Sequence, residues 1–363
     1  MNIFKDKNNL LAVLSIVFLA ILAGAIGGIF IQNFFTSESG GLTYSLSRVI
    51  WRSPAEDLNR LRPQVAPMVV KLYRHIPIIS ESAGINIKNS YFSDDLAGEA
   101  LTITADGWLV TADPGTDFTG LRAVAYDRKS YKVEKYVRDN FSKLVFLKIN
   151  AENLLPSRFG KSADLSGGDY LFLADDEDNL IPTSAANPYF YSETKNDLVR
   201  SSDRLNRFVV LKDNFRKNLM GAPIFNIRGE AVAIFADNNN LAIPLEVVNP
   251  ILSSFLKNGA VVRPALGAYY VNLSLLRNQD VWQKLKTTNG AYLWRSGDYP
   301  FAAKSAGFSA GLREGDIIVK IESEALNARR DLAEIISEYE AGTKLNFGII
   351  RDGKEMTVAV TLK

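Results

Sequence analysis

A chain of 363 residues with 47% apolar and 23% charged content has room for two ordinary domains and the composition of a folded protein. Its 42 basic and 40 acidic residues leave a net charge of +2 with no dense Lys/Arg run, which makes nucleic acid a poor partner. The lack of cysteine excludes disulfides, thiol nucleophiles and Cys-ligated metals, and a single histidine, His75, excludes any site needing two His ligands from one chain.

Residues 10–31, LLAVLSIVFLAILAGAIGGIFI, carry no charge. As a helix they would extend about 33 Å, enough for a bilayer core of about 30 Å. Lys5 and Lys7 precede the run, with Asp6 between them, which favours a cytoplasmic N-terminus and an extracytoplasmic remainder, periplasmic or extracellular. A cleaved secretory signal is the alternative. Its apolar region would span about 7–15 residues, and the candidate site Ala23-Gly24-Ala25 lies inside the run, so an uncleaved signal-anchor is expected. Residues 1–35 are read as cytoplasmic N-terminus plus transmembrane anchor, and 36–60 as a Ser-rich connector.

Between 61 and 260 the pattern is short strands joined by turns, which suggests an all-β barrel or sandwich. VAPMVVKLY (65–73) is the first strand candidate. ALTITADGWLVTAD (100–113) is two apolar runs around Asp106-Gly107, a hairpin signal. KLVFLKI (143–149), DYLFLA (169–174), RFVVLK (207–212) and the hairpin NLMGAPIFNIRGEAVAIF (218–235) follow. NPILSSFLKNG (249–259) has helical spacing and Gly259 as its C-cap. Residues 261–363 form a small α+β domain. Helices are expected at 273–285 and 328–342, strands at 291–296, 316–323, 344–351 and 355–362, and a turn at Arg351-Asp352-Gly353-Lys354.

Several of these stretches resemble one family, the membrane-anchored HtrA/Deg proteases, built from an anchor, a trypsin-like double β-barrel and one PDZ domain. ADGWLVTA (105–112) resembles the strand pair leading to that family's catalytic His. FGKSADLSGGDYLFLA (159–174) resembles the opening of its second barrel. LAIPLEVVNPILSSFLKNGAVVRPALGAYY (241–270) and SAGLREGDIIVKIES (309–323) are similar to the exit helix and the PDZ core. The implied fold is an N-terminal transmembrane helix, an all-β trypsin-like double β-barrel and a C-terminal α+β PDZ domain.

The resemblance places Pro114 where the catalytic His would stand, Lys143 at the Asp and Met220 at the nucleophilic Ser; Asn218 replaces a supporting Gly. None of the three side chains can play its role, so the expectation is a degenerate member that is not an enzyme, with an active serine endopeptidase using a non-standard site as the alternative. His75 follows the first strand and reads as a surface or capped residue. A Ser–Lys dyad on Lys143 finds no supported Ser; Ser201 and Ser202 lie in a charged loop. Asp94-Asp95, DDED (175–178) and DNNN (237–240) read as solvated loops or turns without calcium-loop spacing, and no cofactor or metal is expected.

The PDZ resemblance implies a peptide site. The carboxylate loop would be Ala265, Leu266, Gly267 and Ala268, the pairing strand would continue through Tyr269 and Tyr270, and the facing helix would offer Leu332, Ile335, Ile336 and Tyr339, with Arg263 close by. Expected partners are peptide or protein C-termini, the membrane through residues 10–31, and a homotrimer or an assembly with homologues in which Tyr44 and Trp51 are candidate contacts. Envelope protein quality control or scaffolding is the implied role. A PDZ domain serving only as lid or assembly element is a third possibility.

Overall fold

The computed structural model describes residues 54–74, 91–295 and 301–363, apart from 176, 193, 195–196, 238 and 303. The apolar run at 10–31, Tyr44, Trp51 and His75 lie outside the described residues. Among the described residues no helix is long and apolar enough to cross a membrane.

The described chain opens with a helix, α1 (Pro54–Val65), which crosses the expected connector boundary at 60/61. Glu56 and Asp57 in its first turn and Arg62 in its last complement the helix dipole. Leu61 and Val65, one turn apart, are fully buried. The strand expected from residue 65 therefore begins only at Val69.

Strands β1 (Val69–Arg74), β2 (Leu96–Thr102), β3 (Trp108–Ala112), β4 (Leu121–Val124), β5 (Ser130–Asp139) and β6 (Leu144–Ile149) close into a barrel in the order β1-β2-β3-β6-β5-β4. A second barrel is built from β7 (Tyr170–Ala174), β8 (Leu180–Tyr191), β10 (Arg207–Leu211), β11 (Pro223–Asn226), β12 (Ala231–Phe235) and β13 (Leu241–Pro244), in the order β10-β13-β12-β11-β7-β8. Period-two alternation sorts the side chains. On β6, Val145 and Leu147 fill the first barrel, while Leu144 and Phe146 face a core shared by both barrels. On β11, Ile224 fills the second barrel and Phe225 joins the shared core. These runs are apolar on both faces because both faces are buried.

Helix α2 (Asn249–Asn258) closes on Gly259, whose φ of 66° places it in the left-handed region and whose amide reaches the Phe255 carbonyl at 2.7 Å. Phe255 is fully buried against Trp108 and Phe146, with ring centroids 4.7 and 4.4 Å away. This contact seats the helix on the first barrel.

The C-terminal domain contains β14 (Tyr269–Asn272), α3 (Gln279–Leu285), β15 (Ala291–Leu293), α4 (Ala306–Ser309), β16 (Ile317–Ile321), β17 (Glu324–Ala325), α5 (Leu332–Ser337), β18 (Lys344–Arg351) and β19 (Lys354–Thr361). Its sheet runs β19-β18-β16-β15-β14 and continues into β9 (Arg200–Ser201), a strand contributed by the loop between β8 and β10. Two helical expectations shrink. The stretch 273–285 splits into a 3-10 turn at Leu273–Leu275 and α3, because the Asn272 and Asn278 side chains each cap a new start. The stretch 328–342 is helical only over α5, since Asp331 caps Leu332 and the preceding residues form a turn closed between Asn327 and Arg330.

Candidate functional site

Two places concern function: a crevice at the meeting of the barrels and a groove on the C-terminal sheet. The crevice has a volume of about 600 Å3 and is lined by Pro114, Met220, Thr111, Gly98 and Asn218 among others. The turn bearing Met220 is tightly determined. A 3-10 turn at Lys217–Leu219 leads into it, and the amides of Met220, Gly221 and Ala222 donate to the carbonyls of Lys217, Phe235 and Leu219 at 3.1, 2.8 and 2.9 Å. The Met220 carbonyl in turn accepts from the Glu99 amide of β2 at 3.0 Å. Gly221 sits at φ 85°, and a Cβ there would lie 2.0 Å from the Thr111 hydroxyl and 2.2 Å from the Glu99 carbonyl. Only glycine allows the second barrel to approach β2 this closely.

Pro114 and Met220 share the crevice, but the Lys143 side chain does not. Lys143 is exposed, at φ 65° in the turn before β6, and only its carbonyl reaches the region, accepting from the Asp113 amide at 2.9 Å. The backbone thus brings 113 and 143 together while the ammonium faces solvent. Beside them, Arg138 pairs with Asp113 at 2.9 Å. Among the described residues no group of three or more His, Cys, Asp or Glu side chains is placed to hold a metal ion. The DDED segment is less solvated than expected, since Asp178 pairs with Lys71 at 2.6 Å and Arg128 at 2.9 Å. In DNNN, the Asp237 carboxylate accepts from the Asn239 amide at 2.9 Å and Asn240 is left-handed, a tight turn.

The groove lies along β14. Gly267 is left-handed at φ 69°, and a Cβ there would lie 2.4 Å from the Ser305 Cβ. This conformation turns successive amides toward one point. The amides of Leu266 and Gly267 donate to one carboxylate oxygen of Asp203, at 3.1 and 3.0 Å, and the Ala268 amide donates to the Ser202 hydroxyl at 2.9 Å. Ala265 is engaged elsewhere, exchanging two backbone bonds with Lys363 at 2.8 and 3.1 Å. Tyr269 and Tyr270 pair antiparallel with Ser201 and Arg200. Leu332, Ile335 and Ile336 are buried in the core of the domain. Arg263, expected to help hold a carboxylate, does not face the loop: it pairs with the buried Asp139 at 2.6 Å.

Sequence reasoning missed the polar cluster joining groove and barrels. Asp331 accepts from the Tyr270 hydroxyl at 2.6 Å and from Asn272 at 3.0 Å. Glu334 accepts from the Tyr191 hydroxyl at 2.9 Å and pairs with Arg207, which also pairs with Glu246 at 2.6 Å. Burial pushes both Asp331 and Glu334 above the usual carboxylate range, against the pull of the Tyr270 hydroxyl on the first and Arg207 on the second. Helix periodicity announces a buried face, but it does not say that the face carries acids.

Residues 301–362 match the model of the PDZ domain family. The chain is 26% identical over 280 residues to a probable periplasmic serine endoprotease DegP-like of Marinomonas sp. (strain MWYL1), covering 73% of this chain. To the periplasmic serine endoprotease DegP of Escherichia coli (strain K12) it is 24% identical over 288 residues, again covering 73% of this chain. It spans about half the length of these curated relatives, 56% of each. Among solved structures, the HtrA-type protease AlgW with a tripeptide superposes with a TM-score of 0.58 at 17% identity, covering 84% of this chain and 97% of that one. The same protease with a decapeptide gives 0.57 at 17% identity, with 84% and 98% covered. The fold is a trypsin-like double β-barrel with a C-terminal PDZ domain.

These relatives correct one expectation. The chain was expected not to be an enzyme, from Pro114, Lys143 and Met220, but the proteins it matches are named serine endoproteases. The crevice persists as an open cavity, and Lys143, one of the three supports of that expectation, keeps its side chain outside it. In sequence and fold the chain is similar to proteases of the HtrA/DegP type.

Proposed function

We infer that this HtrA/DegP-type chain takes up the C-terminal ends of extended peptides or proteins on its PDZ domain, along β14. The observation that carries this is the convergence of the Leu266, Gly267 and Ala268 amides on a carboxylate and its neighbouring hydroxyl. A nest of backbone amides beside a pairing strand is what a carboxylate-ended strand needs. The division into barrels at 61–260 and PDZ domain at 261–363 belongs to the same reading. So do an extracytoplasmic location with residues 10–31 as anchor, assembly as a trimer or with homologues, and a part in envelope protein quality control or scaffolding. The periplasmic naming of the relatives supports the location.

The test is titration of the full chain with a fluorescent C-terminal peptide library, each peptide prepared as free acid and as amide. Free acids should bind and amides should not. Equal binding of both, or none at millimolar peptide, would leave the domain a lid or an assembly element.

A second reading, peptide-bond hydrolysis at the crevice, is favoured by the names of the relatives. It requires a nucleophile other than Met220, whose thioether has no proton to lose. Casein turnover that a serine-directed phosphonate abolishes would establish it.

A further inference from the structure

The groove that would receive a peptide is already filled by the chain itself. Segment 200–203, Arg-Ser-Ser-Asp, leaves the loop between β8 and β10 and lies on the outer edge of β14, with Ser201 opposite Tyr269 and Arg200 opposite Tyr270. It runs antiparallel to β14 and ends, at Asp203, on the amide loop. That is the direction and the polarity of a peptide arriving C-terminus first. Ser202 is buried at 1% exposure and bonds Ala268 twice, its amide donating to the carbonyl at 2.9 Å and its hydroxyl accepting from the amide at 2.9 Å. The hydroxyl also donates to the Asp203 carboxylate at 2.8 Å. Upstream, the Arg200 guanidinium is buried over the Tyr191 ring, 5.4 Å from its centroid, and donates to the Ser192 carbonyl at 2.6 Å. Asn206 ties the segment down behind, donating to the Ser201 carbonyl at 3.3 Å and to the Tyr270 hydroxyl at 3.1 Å.

We propose that Arg200–Asp203 is an internal ligand of the PDZ groove, and that an exogenous peptide end binds by displacing it. The inference rests on the peptide-binding reading and names the ligand class that can compete: an extended, carboxylate-ended segment with a small hydroxylated residue where Ser202 lies. A tethered ligand acts at a high effective concentration, of order millimolar for a short flexible tether. The apparent affinity for a free peptide is lowered by the fraction of molecules in which the segment has left. Selectivity for strong competitors follows without any change in the loop itself.

The experiment uses the full chain and a labelled heptapeptide, Asp-Leu-Val-Arg-Ser-Ser-Asp, copied from residues 197–203. Asp203→Ala removes the internal carboxylate and should tighten peptide binding about tenfold or more, the scale of a lost charge-assisted bond. Asp203→Asn, which keeps the shape and removes the charge, should give a smaller gain. Without peptide, the amides of Leu266, Gly267 and Ala268 should be protected from hydrogen exchange in the wild-type chain and lose that protection in Asp203→Ala. Equal affinity of wild type and Asp203→Ala would overturn the internal ligand and leave peptide capture standing. Wild-type amides exchanging at open-loop rates would overturn it as well. No binding by either protein would overturn both.

Discussion

Arg207 of the second barrel is ion-paired with Glu334 of α5, a residue 127 positions further along the chain, and both side chains are buried. All three guanidinium nitrogens donate: it also bonds Glu246 at 2.6 Å, the Ser162 hydroxyl at 2.9 Å and the Pro188 carbonyl at 3.1 Å. Burial works against its charge, but the two carboxylates outweigh that and push its pKa up. Helix α5 is therefore fixed to the barrel by charge as well as by apolar packing.

Breaking this cluster from one side should be costly. Arg207→Ala leaves Glu334 and Glu246 without their shared cation, and removing one partner of a buried pair costs about 3–5 kcal/mol. The double variant Arg207→Met/Glu334→Leu should lose less than Arg207→Ala alone, because it leaves only the half-buried Glu246 without its cation, whereas Arg207→Ala strands the more deeply buried Glu334 as well. Urea unfolding of the full chain followed by tryptophan fluorescence measures both. Equal losses in the two proteins would mean that the pairing is not what holds the helix.

The same cluster sets a pH dependence. Asp331 faces Tyr270, Asn272, Asn206 and the more distant Arg200; Glu334 faces Arg207, Tyr191 and Asp331 itself. Both carboxyls titrate above their ordinary values, chiefly through burial. The folded state therefore binds more protons than the unfolded one between those values and the raised ones. The stabilisation is complete below the ordinary carboxylate range, about 3.9–4.3, and is lost as pH rises through the raised values. Melting temperature should thus fall as pH rises above the ordinary carboxylate range, more steeply in the wild type than in Asp331→Asn/Glu334→Gln. Parallel slopes would remove the assignment.

Much of the barrels was legible because strands such as β3, β6, β7 and β12 announce themselves locally, through β-branched and aromatic runs bounded by Gly, Asn and Asp turns, whereas β4, β5 and β8, whose residues alternate between buried and exposed without an apolar run, were not foreseen. The hairpin around Asp106-Gly107 forms between β2 and β3 as its residues suggest, with Leu101 opposite Val110. The helices of the C-terminal domain were over-extended, because apolar spacing continues through Leu276 and Tyr339 whereas caps at Asn278 and Asp331 set the real starts. The groove's occupant was not legible. Ser201, Ser202 and Asp203 make an ordinary polar loop, and their partners lie more than sixty positions away, at Leu266 to Ala268. Arg263 illustrates the same limit: its place beside the loop was visible, but Asp139, 124 residues earlier, was not visible as its partner.

The crevice turn gives a backbone prediction. Gly221→Ala must place a methyl 2.0 Å from the Thr111 hydroxyl while holding φ at 85°. Strain of this kind costs about 1–3 kcal/mol before the clash is counted. Met220→Leu, one residue away and half-buried, should change stability by less than about 1.5 kcal/mol. Urea midpoints of the two variants should separate clearly, and a Gly221→Ala protein as stable as the wild type would mean the barrels do not meet as closely as described.

The segment leading into the PDZ domain gives the last prediction. The Asp139 side chain is fully buried at the end of β5 and accepts from the Phe141 amide at 3.1 Å, the Ser142 hydroxyl at 2.5 Å and Arg263 at 2.6 Å. The Arg263 guanidinium lies over the Phe141 ring, 4.9 Å from its centroid, so it joins the chain after α2 to the first barrel through both charge and a flat face. Arg263→Ala strands the Asp139 carboxylate in the interior and should lower stability by about 3–5 kcal/mol. Arg263→Lys keeps the charge but loses the fork and the planar stacking, so it should recover only part of that loss. Limited proteolysis near residue 260 supplies a second readout: cleavage should speed up in both variants, more in Ala than in Lys. Unchanged cleavage alongside unchanged stability would show that this end of the domain is held by apolar packing alone.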